Sequence, residues 1–297
     1  MNSRQMKPTH IAAVTIAVGA FLILLGRASA SEQKTHYTLF NPTPVDLLRD
    51  ISTDRPDLTE TPFTIDAGHV QFEATLVGYS RSRPEPDGTF TRSFDFFPVN
   101  VRIGITNYTE FGVVLRPYGL VHTYPGDGTA RTRNSGMGGI DFRGKINIWG
   151  NDTFENPGST ALGLLPFVTI PTDKGNGISP EKIEAGVVVP FALKLTDKFG
   201  VGLNAGVHLV PNENRGGRHV EYLASASFSY EWSDRLGTYY EVAARLNTGD
   251  ERGDIVAVAT GLTYKLNDNL QLDAGINIGV TRAADRYNPF VGLSARF

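Results

Sequence analysis

The stretch LQLDAGINIGVT, residues 270–281, alternates between apolar residues and polar residues or glycine without a break. This two-residue period is that of a β-strand with one apolar face and one polar face. A second alternating run ends the chain, and its apolar side is formed by Val291, Leu293, Ala295 and Phe297. The C-terminal part of the chain is therefore predicted to form two amphipathic strands.

The same alternation recurs throughout residues 69–297 and predicts about twelve strands. The second of them, residues 94–105, has an apolar face of Phe97, Val99, Val101, Ile103 and Ile105. Connections such as residues 106–109 and 196–198 are short, whereas residues 123–138 and 171–180 form longer polar loops. Short turns at one end and long loops at the other are typical of a closed antiparallel transmembrane β-barrel. An even number of strands places both termini on the periplasmic side.

A soluble barrel or sandwich also alternates, so the pattern alone does not decide between the two environments. Three further features favour the membrane. Charges occur in mid-strand on the polar face and almost never on the apolar face, although a solvent-facing sheet would tolerate this as well. Aromatic residues such as Trp149, Trp232 and Tyr264 lie near strand ends, as in interfacial girdles. The predicted strands, at roughly 10 to 13 residues, also match tilted membrane strands of about 9 to 11.

The first 30 residues are predicted to be a signal peptide. Basic residues precede an apolar run at residues 11–25, and the small residues Ala28-Ser29-Ala30 follow it. A transmembrane anchor is the alternative, but the run is shorter than the roughly 20 residues a spanning helix needs. The chain has no Cys and a net charge of −3, which excludes thiolate sites and gives no indication of nucleic-acid binding. We expect a segment 31–68, in the periplasm or plugging the barrel, followed by a barrel formed by residues 69–297.

Several motifs resemble the family of transporters labelled "MetA-pathway of phenol degradation". They are STDRPDLTETP (residues 52–62), DAGHVQFE (66–73), GMGGIDFRGK (136–145), PFVTIP (166–171) and LQLDAGINIG (270–279). The resemblance covers nearly all of the mature chain and implies a barrel in the bacterial outer membrane that passes small organic solutes, aromatic ones among them. The terminal Phe297 resembles the C-terminal signature of outer-membrane barrels, which implies recognition by the outer-membrane assembly machinery.

The charged residues on the polar face are predicted to line the lumen of this channel. They are Glu73, Arg102, Arg116, Asp141, Arg143, Lys145, Glu184, His208, Glu221, Glu241, Arg245, Asp273 and Arg296. A barrel of twelve strands should have a narrow lumen that selects chiefly by size. Either these charges select solutes, or they pair across the lumen and fill it; the mixed signs leave both interpretations open.

Residues 41–62 contain too many prolines for a strand and too many charges for contact with lipid. We expect this segment to fold into or under the periplasmic mouth, where Asp54, Arg55 and Asp57 pair with lumenal charges. The alternative is an unstructured periplasmic tail.

The competing functional class is an enzyme of the outer-membrane phospholipase type. His208 and the serines of residues 225–229 fall on inner faces of neighbouring strands, but such an enzyme needs its Ser and His on the lipid side. The remaining histidines show no metal-ligand spacing, and we predict no catalytic residues, metal or cofactor. A purely structural barrel is the third possibility. We therefore expect a non-enzymatic channel whose partners are outer-membrane lipid and a small-molecule solute.

Overall fold

The computed structural model of the protein describes residues 34–212, 216–247 and 253–297. The predicted signal peptide, residues 1–30, lies outside the described residues. Apart from a short 3₁₀ helix at Val45–Leu47, the described chain forms strands and loops. The strands are β1 Val70–Arg81, β2 Phe90–Phe96, β3 Val99–Thr106, β4 Thr109–Leu115, β5 Tyr118–Tyr124, β6 Thr132–Gly136, β7 Ile140–Trp149, β8 Thr160–Ile170, β9 Glu184–Lys194, β10 Phe199–Pro211, β11 Arg218–Glu231, β12 Leu236–Asn247, β13 Ile255–Asn267, β14 Leu270–Gly279 and β15 Asn288–Arg296.

The strands form one closed antiparallel barrel. Three barrel strands are each interrupted once, so β2 with β3, β4 with β5, and β6 with β7 are the two halves of one strand, and the barrel has twelve. The wall runs in the order β1, β3, β4, β7 and then β8 to β15, and β15 pairs with β1 to close it. Backbone hydrogen bonds between Val70 and Phe297 complete the seam at the periplasmic end. The predicted twelve-stranded barrel is confirmed.

The extracellular halves β2, β5 and β6 form an extension of the wall beside the upper part of β1. Each interruption contains residues that break a ladder: Phe97-Pro98, Arg116-Pro117 and Gly138-Gly139. Phe97 has a positive φ of 55°, a conformation that a bulky residue seldom adopts. The interruptions shift which residues point outward, so the prediction of one continuous strand from residue 94 to residue 105 is wrong. Phe97 lies in the break and is 57% exposed. Residues 123–138, predicted to be a loop, contain the strand β6.

The alternation orients the wall as the membrane interpretation requires. On β14 the outward Leu272 and Ile278 are 40% and 44% exposed, whereas the inward Asp273 is 4% exposed. On β13 the outward Val258 is 39% exposed and its neighbour Ala259 is buried. A sheet with its apolar side uncovered and its charged side buried is stable in lipid and unfavourable in water. The wall therefore has the orientation of a membrane-spanning β-barrel.

Aromatic residues cover the periplasmic edge of the outward face. Phe297 packs edge-to-face against Phe72, with ring centroids 5.8 Å apart. The indole nitrogen of Trp232 donates to the hydroxyl of Thr238 at 3.0 Å, so the ring lies flat on the barrel with its polar atom satisfied. Within the described residues, no helix has the length and apolarity needed to cross a membrane.

Candidate functional site

Residues 34–68 form one irregular segment, which we call the inner segment. Its first part, residues 34–47, is largely exposed and contacts the turn between β3 and β4, whereas residues 48–68 lie inside the barrel. It contributes no strand to the wall because Pro56 and Pro62 remove backbone donors. Its polar groups bond instead to inward side chains of β1, β3, β7, β12 and β14, which surround the lumen.

The largest ionic cluster lies at the level of Asp54. The carboxylate accepts from Lys145 Nζ at 2.6 and 2.8 Å, and Arg102 Nη1 lies 3.3 Å away. Arg102 also pairs with Glu73 at 2.7 Å and with Glu110 at 2.8 Å, and both cations are almost fully buried. Burial alone would raise the pKa of Asp54, but Arg102 and Lys145 outweigh it and hold the pKa of this carboxyl well below its usual range.

Arg55 anchors the inner segment to the opposite wall. Its guanidinium donates to both carboxylate oxygens of Asp273, at 3.2 and 2.7 Å, and also to Thr75. This bidentate geometry is the one in which Arg binds a carboxylate most strongly. A side chain at Gly292 would collide with the guanidinium, so the absence of a Cβ there makes room for the anchor.

A third set of contacts joins residues 57–60 to β7, β11 and β12. The backbone nitrogen of Leu58 donates to Glu241 at 2.8 Å, Thr59 bonds to both Glu241 and Ser225, and Glu60 accepts from Arg143 at 2.8 Å. Asp57 has no cation beside it. Burial, together with the nearby charge of Glu241, raises the pKa of Asp57 to about 8.

A periplasmic layer of contacts joins the same segment to the turn between β7 and β8 and to the last strand, β15. Arg49 pairs with Asp66 at 3.2 Å and with Asp152 at 3.1 Å. Arg296 donates to the backbone oxygen of Arg49 at 2.6 Å and lies 3.7 Å from Asp66. The final strand therefore contacts the inner segment as well as its strand partners.

The structure brings most of the predicted lumenal residues into contact with the inner segment. Glu73, Arg102, Arg143, Lys145, Glu241, Asp273 and Arg296 contact it directly, and Asp141 touches it through Arg143 at 3.4 Å. Arg116 lies between β4 and β5, half-exposed in the lumen and 4.0 Å from Asp141. Sequence reasoning missed Glu110, Arg49 and Asp66 as site residues. Glu110 lies two residues before Gly112 on β4, so both residues point inward, and this spacing would have identified Glu110.

The remaining predicted residues form a separate group on β9 to β12, above the inner segment. His208 Nε2 lies 3.3 Å from Glu184, and Glu221 lies 3.8 Å from His208 and 3.5 Å from Arg245. The inward Ser225 and Ser227 do not bond to His208: Ser225 bonds to Thr59, and Ser227 bonds to Asp57. Among the residues that the structure describes, no group of three or more His, Asp or Glu is arranged to hold a metal ion.

A cavity of about 270 Å³ lies against the inner segment. Its walls combine charged and amide groups with apolar surface, and they include Asp57, Asp95, Asn100, Val99 and Phe290. Among engineered cavities, about 150 Å³ is enough to hold a benzene molecule. The cavity is therefore large enough for one small organic molecule.

A sequence model of the family described as "Putative MetA-pathway of phenol degradation" matches residues 53–297, which is most of the chain. The chain belongs to this family. The match begins at Thr53, within the inner segment, so the family pattern includes Asp54, Arg55 and Asp57 as well as the barrel. No curated protein sequence matches the chain significantly.

Among solved structures, the chain is similar to the COG4313 outer membrane channel from Pseudomonas putida F1. The TM-score is 0.58 at 12% identity, and the alignment covers 83% of this chain and 100% of that one. The transport unit of the autotransporter AIDA-I from Escherichia coli has a TM-score of 0.49 at 11% identity, with coverages of 82% and 92%. The NanC porin has a TM-score of 0.47 at 10% identity, with coverages of 76% and 98%. At such identities the first likeness is one of fold alone.

Proposed function

We propose that the protein is a passive outer-membrane channel for small organic solutes, aromatic ones among them, and that the inner segment regulates passage through its lumen. The observation that carries this proposal is the way the inner segment is held. Charged and polar contacts fix it to several sides of the lumen, and a solute-sized cavity lies against it. Residues 54–60 bond to side chains of the wall and take part in none of its ladder hydrogen bonds, so they can leave their docked position without disrupting the wall.

The names of the similar proteins support the same class. The Pseudomonas putida barrel is called an outer membrane channel, and the NanC protein is called a porin. The family description refers to phenol degradation, which agrees with a small aromatic solute. The mixed lining of the cavity suits a ring that carries one polar group, because Phe290 and Val114 offer apolar surface beside Asn100 and Asp57.

The role of the inner segment in permeation can be tested by deleting it. The mature protein and a variant lacking residues 31–62 are compared in planar bilayers and in liposomes loaded with a panel of solutes. We expect larger single-channel conductance and faster permeation of small aromatic alcohols in the deletion variant. Unchanged conductance and gating would defeat the role of the inner segment, and a barrel impermeable in both forms would favour a purely structural protein.

A lipase assay on the refolded protein distinguishes a phospholipase-type enzyme from a channel. Because His208 lies beside Glu184 and Glu221 and no serine bonds to it, we expect no hydrolysis of phospholipid above that of a His208→Ala variant. Robust hydrolysis that is lost in this variant would overturn the channel proposal.

A further inference from the structure

Three arginines and one histidine lie side by side across the extracellular extension of the barrel wall. Arg81 of β1 pairs in register with Arg92 of β2, Arg92 pairs with His122 of β5, and His122 pairs with Arg133 of β6. We call these four residues the basic row. Adjacent strands are about 4.8 Å apart, so the row is roughly 14 Å long. Like charges directly opposite one another destabilise a sheet, so the row calls for a compensating anion.

The basic row lies on the outer surface of the barrel. On the same four strands, Gly78 pairs with Asp95 and Asp95 pairs with Gly119, and Asp95 lines the lumenal cavity. Residues of the other parity therefore point outward. Val77 and Tyr118 share that outward face and are 44% and 40% exposed.

The height of the row matches the outer edge of the bilayer. Phe72 marks the periplasmic edge, where it packs against Phe297. From Phe72 to Arg81 the chain advances nine residues along β1, one of which lies in a β-bulge between Thr75 and Val77. Eight steps of about 3.3 Å at a tilt of about 40° give roughly 20 Å along the membrane normal. The lipid-facing apolar band of outer-membrane barrels is about 25 Å tall. The basic row therefore lies at the level of the outer-leaflet headgroups.

Aromatic rings hold Arg81 and Arg92 in place. The guanidinium of Arg81 lies 4.6 Å from the ring centroid of Phe90, and that of Arg92 lies 4.8 Å from the ring centroid of Tyr124. The rings of Phe90 and Tyr124 are stacked at 4.8 Å with an interplanar angle of 4°. A guanidinium stacked in this way loses less conformational entropy when it binds a ligand.

Among the described residues, the arginines of this surface bond to hydroxyl groups and have no acidic partner. Arg131 and Arg133 donate to the hydroxyls of Tyr124 and Tyr118, at 3.3 and 3.5 Å. Within the described part of the chain, none of Arg81, Arg92, Arg131 and Arg133 lies within ion-pair distance of a carboxylate. The Nε atoms of Arg81 and Arg92 are buried and have no hydrogen-bond partner.

We propose that the basic row binds the phosphate groups of an anionic glycolipid of the outer leaflet. Guanidinium groups bind phosphate oxygens through paired, charge-assisted hydrogen bonds, and basic pockets at the headgroup level are the usual sites for anionic lipids. The apolar surface around Val77 and Tyr118, directly below the row, continues into the band that contacts acyl chains. One lipid molecule thus contacts cations with its headgroup and apolar side chains with its tails. A soluble anion would contact the cations alone.

The test is native mass spectrometry of the full mature protein in detergent with added lipid A. We compare the bisphosphorylated form with an otherwise identical dephosphorylated form. We expect bound bisphosphorylated lipid, and binding at least about tenfold weaker after dephosphorylation or in an Arg92→Gln/Arg133→Gln variant. Lys198→Gln/Arg235→Gln is the matched control, because it removes two exposed cations from the periplasmic turns.

Equal binding of the two lipid forms, or equal binding by the Arg92→Gln/Arg133→Gln variant, would overturn the proposal. Displacement of the lipid by millimolar inorganic phosphate would also overturn it, because the site would then be one for soluble anions. Should that variant fail to fold, as judged by heat-modifiable electrophoretic mobility, Arg131→Gln/Arg133→Gln replaces it. Both of these arginines are exposed, and the same loss of lipid binding is expected.

Discussion

Replacing Asp54 by Asn should release the inner segment from the centre of the barrel. The change removes the closest partner of the buried Lys145, which is left with Glu110 at 3.8 Å, whereas Arg102 keeps both Glu73 and Glu110. Breaking a buried ion pair by removing one partner costs about 3–5 kcal/mol. The asparagine oxygen can still accept from Thr61, so we expect the lower end of that range. About 3 kcal/mol raises the undocked population on the order of a hundredfold.

Two measurements on Asp54→Asn report this change. Single-channel recordings should show higher mean conductance or more frequent openings than in the unaltered protein, and limited proteolysis should cut within residues 34–62 much sooner. Asp46→Asn is the matched control, because Asp46 is an exposed residue of the same segment and the change in charge is identical. If Asp54→Asn has the conductance and the protease resistance of Asp46→Asn, the ionic cluster does not hold the segment.

Three further predictions concern docking and assembly. The docked Asp57 has a pKa of about 8, whereas in the released segment its pKa returns to about 4, so docking binds a proton between these two pH values. Raising the pH from 5 to 9 should therefore weaken docking and raise conductance. Asp57→Asn should flatten this pH profile. Arg55→Lys keeps the charge but loses the two-pronged contact with Asp273, so conductance should rise nearly as much as in Arg55→Ala; equal conductance of Arg55→Lys and the unaltered protein would contradict this. Phe297→Ala should lower the amount of barrel in the outer membrane on immunoblots, while refolding in detergent stays close to normal; equal membrane levels would refute a signal role for this residue.

The number of strands and the direction of each face could be predicted because both depend on local information. Alternation is a property of consecutive residues, and residues 270–281 carry it without a break. The strand β6, TRNSG, is polar on both faces and largely exposed, and a hydrophobic period therefore could not reveal it. Phe97 fitted the apolar pattern of its neighbours, and only its positive φ shows that the strand is broken there.

The partners within the lumen could not be predicted, for a different reason. The sequence singled out Asp54, Arg55 and Asp57 as charges that lipid would not accept. Their partners are distant along the chain: Asp273 lies 218 residues from Arg55. Pairing across a closed ring depends on the order and stagger of all twelve strands, and no single stretch of sequence determines these.

The seam between β1 and β15 has a consequence for the order of events during biogenesis. Asp273 and Arg296 belong to the last two strands to emerge, yet they bind Arg55 and the backbone of Arg49 in the inner segment, which precedes the first strand. A partly assembled sheet offers the inner segment only some of its contacts, since Glu73 and Arg102 are present early and Asp273 late. Insertion of the segment should therefore be the final step of maturation, and a precursor stalled short of ring closure would leave its leading residues open to periplasmic proteases.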